Sequence, residues 1–533
     1  MENNEYVAAV DLGTTKVVMA VGRKAEKNKI EIVALKELNS NGVMKGDLKN
    51  IEQASQVLRE VKNQLEKELG VVVREAYVGV SGQHIQCNRT QGYVTVQNMT
   101  DAGVTEVRRS DVERLIDDQR NASLPAGKTI ISILPQSYIL DGEDDISEPV
   151  GMEGRKLEAK FNVIIGEETA IERLRRCFQR VGLNLAGIVL QPLASAEAVL
   201  SDDEKELGVA VVDIGGGTTD ICVYYDKVIR HLAVIPIGGN IINKDIRAYG
   251  ILERYVEKLK TSFGEAVAER TPGDKYINIP SVNGQAPKEI AVRTLAGIIE
   301  ARMYDIIDYV KIEIERCGFK GRLGAGIVLT GGGANLKNLD QLFKLHTGLE
   351  VRVAQPTTYV GGESVELISA PKYSTLTGIV LDAVRKGNYT EIGELPSLAG
   401  QTTGASSSAA ADPYLAREPQ APEQSMGGSG YHNNSMGGHA SSVPGGGYDE
   451  GRDVYDAPQV SQGGQSSLPD GEGVYDPYNE AGGYAEEGYD DDPNGGDYFE
   501  DEIQIRKPKM KERLRRWFGS ILSEEVDDDD DRY

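Results

Sequence analysis

Two near-copies of one short motif constrain this chain more than anything else in it. The first is Asp11-Leu12-Gly13-Thr14-Thr15-Lys16, and the second is Asp213-Ile214-Gly215-Gly216-Gly217-Thr218-Thr219-Asp220. Each follows an apolar run, Tyr6 to Val10 and Val209 to Val212, and each precedes a second β-prone run, Val17 to Val21 and Ile221 to Tyr225. Each copy therefore reads as strand, Gly/Thr turn, strand, with an aspartate closing the first strand. A hairpin duplicated in this way predicts two related lobes facing one phosphate between them.

The residue types fit that chemistry. Glycine lets backbone N–H groups approach a phosphate with no Cβ in the way. Threonine hydroxyls and the Lys16 ammonium add donors and charge. A strand-end carboxylate repels phosphate unless a Mg²⁺ sits between them through waters, which makes Asp11 and Asp213 the candidate metal-side residues. Ordinary hairpin turns would look similar singly; two copies and a third glycine turn disfavour that reading. The third turn is Thr330-Gly331-Gly332-Gly333-Ala334, after the apolar run Ile327 to Leu329. A helix is expected from near Asn335, with Leu336, Leu339, Leu342 and Phe343 on one face. Bare glycine backbone there can lie against a purine or ribose.

Together the three elements resemble the actin, heat-shock chaperone and sugar-kinase superfamily of ATP-binding folds. No P-loop and no Rossmann fingerprint after a first strand competes with that assignment. The stretches Tyr77 to Ile85, Glu206 to Asp220, Arg230 to Pro236 and Ala325 to Gly332 resemble the FtsA family of bacterial cell-division proteins more narrowly. The resemblance runs over roughly residues 5 to 390 and implies an α/β, actin-like two-lobed ATPase fold with an inserted small α+β domain. It implies a first phosphate loop of Gly13, Thr14, Thr15 and Lys16, and a second of Gly215, Gly216, Gly217, Thr218 and Thr219. Gly331, Gly332 and Gly333 would flank the nucleoside, and Glu257 and Lys260 match the family's Glu-x-x-Lys that reaches base and ribose. Gln191 stands where actin-like ATPases orient the attacking water, and Asp220 is the other polar group near the γ-phosphate. A neutral glutamine positions water but is a poor base, so hydrolysis is expected to be slow or absent.

The bulk numbers agree. A chain of 533 residues holds two or more packed domains. The net charge of −25 is uneven: residues 397–506 carry 20 acidic and 3 basic side chains, a net of −17, which leaves −8 for the rest. No basic stripe marks a nucleic-acid binder. Cys87, Cys177, Cys222 and Cys317 lack Cys-x-x-Cys spacing and read as reduced thiols of a cytosolic protein. The first residues show no secretory signal, and no apolar run reaches transmembrane length.

The expected organisation is a first lobe over 1–84 and 166–205 interrupted by the insertion at 85–165. A second lobe follows over 206–240 and 317–396, with a helical subdomain at 241–316. Its helix 294–315, bearing Leu295, Ile298, Ile299, Met303, Ile306, Ile307 and Val310, resembles the family's surface for the tubulin-like protein FtsZ, with Arg302 a candidate contact for that partner's acidic tail peptide. Residues 397–506 are rich in Gly, Ser, Asp, Pro and Tyr and read as a disordered acidic linker. The echo of Asp453-Val454-Tyr455-Asp456 in Gly473-Val474-Tyr475-Asp476-Pro477 reads as drift in a low-complexity tail or a short partner motif.

Residues 507–523 then change character. Met510, Leu514, Trp517, Phe518, Ile521 and Leu522 recur at helical spacing, while Lys509, Lys511, Arg513, Arg515 and Arg516 fill much of the remaining surface. A basic amphipathic helix on a flexible chain has no core to join, so an anionic membrane surface is its expected home. Each buried apolar side chain contributes roughly 1.5–3 kcal/mol, and each basic residue near anionic lipid about 1 kcal/mol. After the ordering cost one copy binds weakly, and many linked copies bind firmly. The acidic end 524–533 opposes this. FtsA resemblance implies a cytoplasmic protein, peripheral on the inner face of the membrane at the division site, that binds ATP and Mg²⁺, self-associates into filaments, binds FtsZ and meets other divisome proteins. A small-molecule kinase and an actin-like pilus-assembly adaptor of the same superfamily remain the alternatives.

Overall fold

The computed structural model describes residues 6–26, 28–97, 105–280, 287–362, 364–394 and 504–505. The expected linker, apart from 504–505, and the expected terminal helix lie outside these.

Two five-stranded sheets repeat one topology. In the first, the order is Ile30–Asn39, Lys16–Lys24, Tyr6–Leu12, Glu75–Val80 and Asn184–Leu190. In the second it is Val228–Ile235, Thr219–Tyr225, Val209–Ile214, Ile327–Thr330 and Val351–Val353. Each is a three-strand antiparallel meander extended by two parallel strands. The strands that carry the two glycine turns are central in each sheet and fully buried over Val7–Val10 and Val209–Val212. Burial on both faces explains why they read as continuous apolar runs rather than alternating ones.

Helices cover the sheets. Ile51–Leu69 begins at Asn50, whose side chain accepts the Gln53 N–H, and ends at Gly70 in the left-handed region (φ 68°). It buries Ala54, Leu58, Val61 and Leu65 in the first-lobe core. On the opposite face, Ser374–Arg385 crosses Gln191–Val199 closely. A Cβ on Gly378 would lie 1.8 Å from the Ala194 carbonyl oxygen and 2.8 Å from its Cα. Backbone cannot rotate away as a side chain can, so Gly378→Ala is expected to destabilise the fold by about 3 kcal/mol, the upper end for overpacking. A denaturation midpoint unchanged from the parent would contradict this packing.

The insertion forms its own four-stranded antiparallel sheet, ordered Glu143–Ile146, Lys128–Leu140, Lys156–Glu167, Gln86–Thr95. Helix Arg109–Arg120 covers it, and Leu115, Leu157 and Phe161 fill a separate core. The second lobe carries helices Asn240–Ala248, Glu253–Phe263 and Val292–Cys317 and a small sheet of Lys275–Ile279 with Lys288–Ala291, to which Gln504–Ile505 pairs.

Two expectations need correction. No helix starts at Asn335: Gly332–Asn335 is a 3₁₀ turn and the helix is Leu339–Thr347. Asn338 sits in the left-handed region (φ 59°), which a right-handed helix cannot include. The apolar stripe Leu295, Ile298, Ile299, Met303, Ile306, Ile307 and Val310 is fully buried, so it is the core face of its helix and not an exposed surface. The four cysteines are unpaired, with three buried and Cys87 half-buried. Among the described residues no helix is long and apolar enough to cross a membrane.

Candidate nucleotide site between two opposed turns

The two Gly/Thr turns face each other. A Cβ on Gly216 would stand 1.8 Å from Thr15 Oγ1, and one on Gly217 would stand 2.5 Å from Thr14 Oγ1. Only glycine allows this approach, which brings the backbone and hydroxyls of the two turns side by side. Each turn is closed by its own chain: Gly13 N–H donates to Lys16 O, and Gly215 N–H to Thr218 O.

Three carboxylates converge beneath the turns. Asp11, at the end of its strand, is 6 % exposed and lies 3.5 Å from Lys16 Nζ. Burial raises its pKa despite that lysine. Asp213 Oδ2 accepts the Ser195 and Thr375 hydroxyls, and its pKa is raised by burial and further by Asp11. Asp220 is pushed up to about 8, first by burial and then by the neighbouring Asp213 charge. Its Oδ1 accepts the Ser81 hydroxyl at 2.8 Å, which ties the second turn to the first lobe. Gln191 opens its helix after strand Asn184–Leu190, and its Nε2 donates to Asp11 Oδ1 at 3.2 Å and to the Gly79 carbonyl.

This cluster is electrostatically strained on its own: like charges raise one another's pKa in a dry site. A divalent cation would relieve it. Among the described residues no group of three or more His, Cys, Asp or Glu is placed to ligate a metal directly. Asp11 and Asp213, both buried at strand ends beside the turns, have the chemistry to face a hydrated Mg²⁺.

The third glycine turn closes the floor. Strand Ile327–Thr330 pairs with the second hairpin, Thr330 beside Asp213. Gly331 adopts φ +84°, and a Cβ there would meet Asp213 Oδ1 at 2.1 Å. Gly333 packs on Ile214, while Gly332 is exposed at the rim. Lys260 Nζ donates to the Gly239 carbonyl at 3.1 Å and pairs with Glu257, whose other contact is Asn243. Gly239 and Asn240 in turn donate to the carbonyls of Gly215 and Gly216. Lys260 thus braces the segment that supports the second Gly/Thr turn.

Sequence reading missed Ser81, Ser195, Thr375, Gly238 and Gly239. The Gly-Gly pair at 238–239 was the one visible signal. Arg302 is not a free cation. Its Nε and Nη2 hold the buried Asp245 carboxylate at 2.7 and 2.9 Å, and its Nη1 holds Asp305. An acidic peptide at Arg302 would have to compete with those two carboxylates. The residues of the expected membrane helix lie outside the described residues.

The duplicated sheets and the opposed turns define the actin-like class of two-lobed ATPase folds. A solved PilM-PilN type IV pilus biogenesis complex shares the fold at TM-score 0.51 and 15% identity, over 71% of this chain and 98% of that one. The family profile described as "Cell division protein FtsA" matches residues 210–378, and that of the "SHS2 domain inserted in FTSA" matches 82–165. Cell division protein FtsA of Neisseria meningitidis serogroup B is 35% identical over 393 residues, 73% of this chain and 93% of its own. That of Pseudomonas aeruginosa is 33% identical over 423 residues, 79% of this chain and 96% of its own. The chain belongs to the FtsA family of cell-division proteins.

Proposed function

We propose that this chain binds ATP with Mg²⁺ between its opposed turns and uses it to control assembly on the inner face of the cytoplasmic membrane, where it tethers FtsZ filaments and helps recruit later divisome proteins. The observation that carries the proposal is the facing of Thr14 and Thr15 against Gly216 and Gly217 above three buried carboxylates. Backbone and hydroxyl donors of both turns, with Lys16, hold the phosphates. Asp11 and Asp213 orient the hydrated cation, which screens phosphate charge. Gly331 to Gly333, Lys260 and Glu257 flank the nucleoside side.

Gln191 is positioned by Asp11 and the Gly79 carbonyl to orient water, yet it cannot take a proton. Asp220 is the candidate base, and burial beside Asp213 raises its pKa to about 8, which favours its protonated form at neutral pH. Turnover is therefore slow, and the nucleotide serves mainly to join the lobes. A small-molecule kinase would leave the basic amphipathic segment 507–523 without a purpose.

The membrane arm is tested by liposome co-sedimentation of the full chain against a truncation after Arg506, with and without ATP. The full chain is expected to pellet with anionic vesicles, and more so when assembled with ATP. Equal pelleting of both forms would remove the anchor from the proposal. Pulldown with the acidic FtsZ tail peptide separates this reading from a pilus adaptor.

A further inference from the structure

The inserted domain is joined to the first lobe at both ends, and each junction is linked to a different phosphate turn. Ahead of its first strand, Ser81 donates to Asp220 of the second turn at 2.8 Å. Behind its last strand, Arg173 donates to both oxygens of Asp47 at 2.8 and 2.9 Å, and the adjacent Gly46 N–H donates to Thr14 of the first turn at 3.2 Å. The domain also grips the second lobe independently. Gln136 donates to the Ile229 carbonyl at 2.9 Å and accepts from Arg230 at 3.1 Å, and Asn162 donates to the Arg230 carbonyl at 3.2 Å. These partners lie on strand Val228–Ile235, which pairs directly with the strand bearing Asp220.

The junction has room to move. A cavity of about 30 Å³ lies beside it, lined by Gly46, Asp47, Ser81 and His84 among others. His84 is buried, and its Nδ1 has no hydrogen-bond partner. A void next to a chain entering a domain lowers the resistance to a small rotation there.

We propose that the insert is a lobe-spanning reporter: a nucleoside triphosphate that draws both turns onto one ligand resets the insert through Ser81, Asp47–Arg173 and the Gln136/Asn162 contacts. This rests on the nucleotide reading of the cleft. By linkage, whatever engages the insert changes nucleotide affinity by the same factor that nucleotide changes its engagement.

Hydrogen–deuterium exchange on the full chain, with and without ATP and magnesium, tests this beside a direct nucleotide titration. In the parent protein, nucleotide is expected to alter exchange in Lys128–Leu140 and Gln86–Thr95 by about two- to tenfold, the range spanned by one net hydrogen bond. Gln136→Ala and Asn162→Ala each remove one side-chain donor away from the turns. Each is expected to bind nucleotide and lose that change; two separate variants guard against one failing to fold. A parent protein that binds nucleotide with no change in the insert overturns the coupling alone. Variants that bind and keep the full response overturn the route through Gln136 and Asn162. A parent that binds no nucleotide overturns the cleft reading, and the coupling with it.

Discussion

Gly217→Ala is expected to weaken ATP binding about 100-fold, the scale of a 1 Å misplacement in a preorganised site. A Cβ there would meet Oγ1, Cβ and Cγ2 of Thr14, all within 2.9 Å. Rotating the threonine does not relieve three contacts at once, so the turns themselves must part. At Gly216 the nearest obstacle is the Thr15 hydroxyl alone, which can rotate, and a smaller loss is expected. Gly297→Ala is the matched control: its Cβ would meet nothing within 4 Å, inside helix Val292–Cys317. That change should leave affinity alone and raise stability by about 1 kcal/mol, the helix-propensity difference. Isothermal titration with ATP and magnesium reads affinity, and chemical denaturation reads stability.

Asp220→Asn is expected to make the nucleotide-free protein more stable at alkaline pH. The folded-state pKa of Asp220 is raised to about 8, so between the ordinary carboxylate range and pH 8 the folded chain holds a proton that the unfolded chain has released. Stability then falls as pH rises through that window, because the unfolded state binds fewer protons. Asparagine has no proton to lose and can still accept from Ser81. The two proteins should therefore differ little near pH 4. The gap should widen toward pH 8 and level off above it, at no more than about 6 kcal/mol. Asp11 and Asp213 shift in the same direction in both proteins, and their coupling to the Asp220 charge is part of the gap. Parallel stability profiles from pH 5.5 to 9 would mean that Asp220 is not held in a dry, like-charged site.

What the chain disclosed in advance follows from how local each signal is. The two hairpins were legible because strand, glycine turn and strand are adjacent in sequence, and burial on both faces made their strands uniformly apolar. Helix Ile51–Leu69 carries signals just as local: its cap, its apolar spacing and its closing glycine all lie within one segment. The polar supports of the site were not. Ser81 meets Asp220 across 139 residues, and Thr375 meets Asp213 across 162. A small hydroxyl residue in a buried helix or loop has no periodicity that marks it. The Arg302 ion pair was hidden for a related reason: its partner Asp245 comes from another helix 57 residues away. The glycine run at 331–333 was read as ending in a helix because its leucines keep helical spacing, yet the left-handed Asn338 delays the helix to Leu339.

The repeated topology also explains why the two glycine turns face each other. Each sheet places its turn at the same end of the same central strand, so related lobes meet turn to turn. Gly331, packed on Asp213, and the Gly238–Gly239 pair, held by Lys260, secure the second turn from two further sides. The first turn is held by the Gly46 N–H on Thr14, the Ser40 N–H on the Thr15 carbonyl and Lys16 on the Lys372 carbonyl.

A crystal structure of the full chain with magnesium and a non-hydrolysable ATP analogue tests the central claim most directly. The account predicts the phosphate chain in contact with backbone N–H groups of both turns, with a hydrated magnesium facing Asp11 and Asp213. Phosphates touching one turn only, or lying outside the space between Thr14 and Gly217, would contradict it.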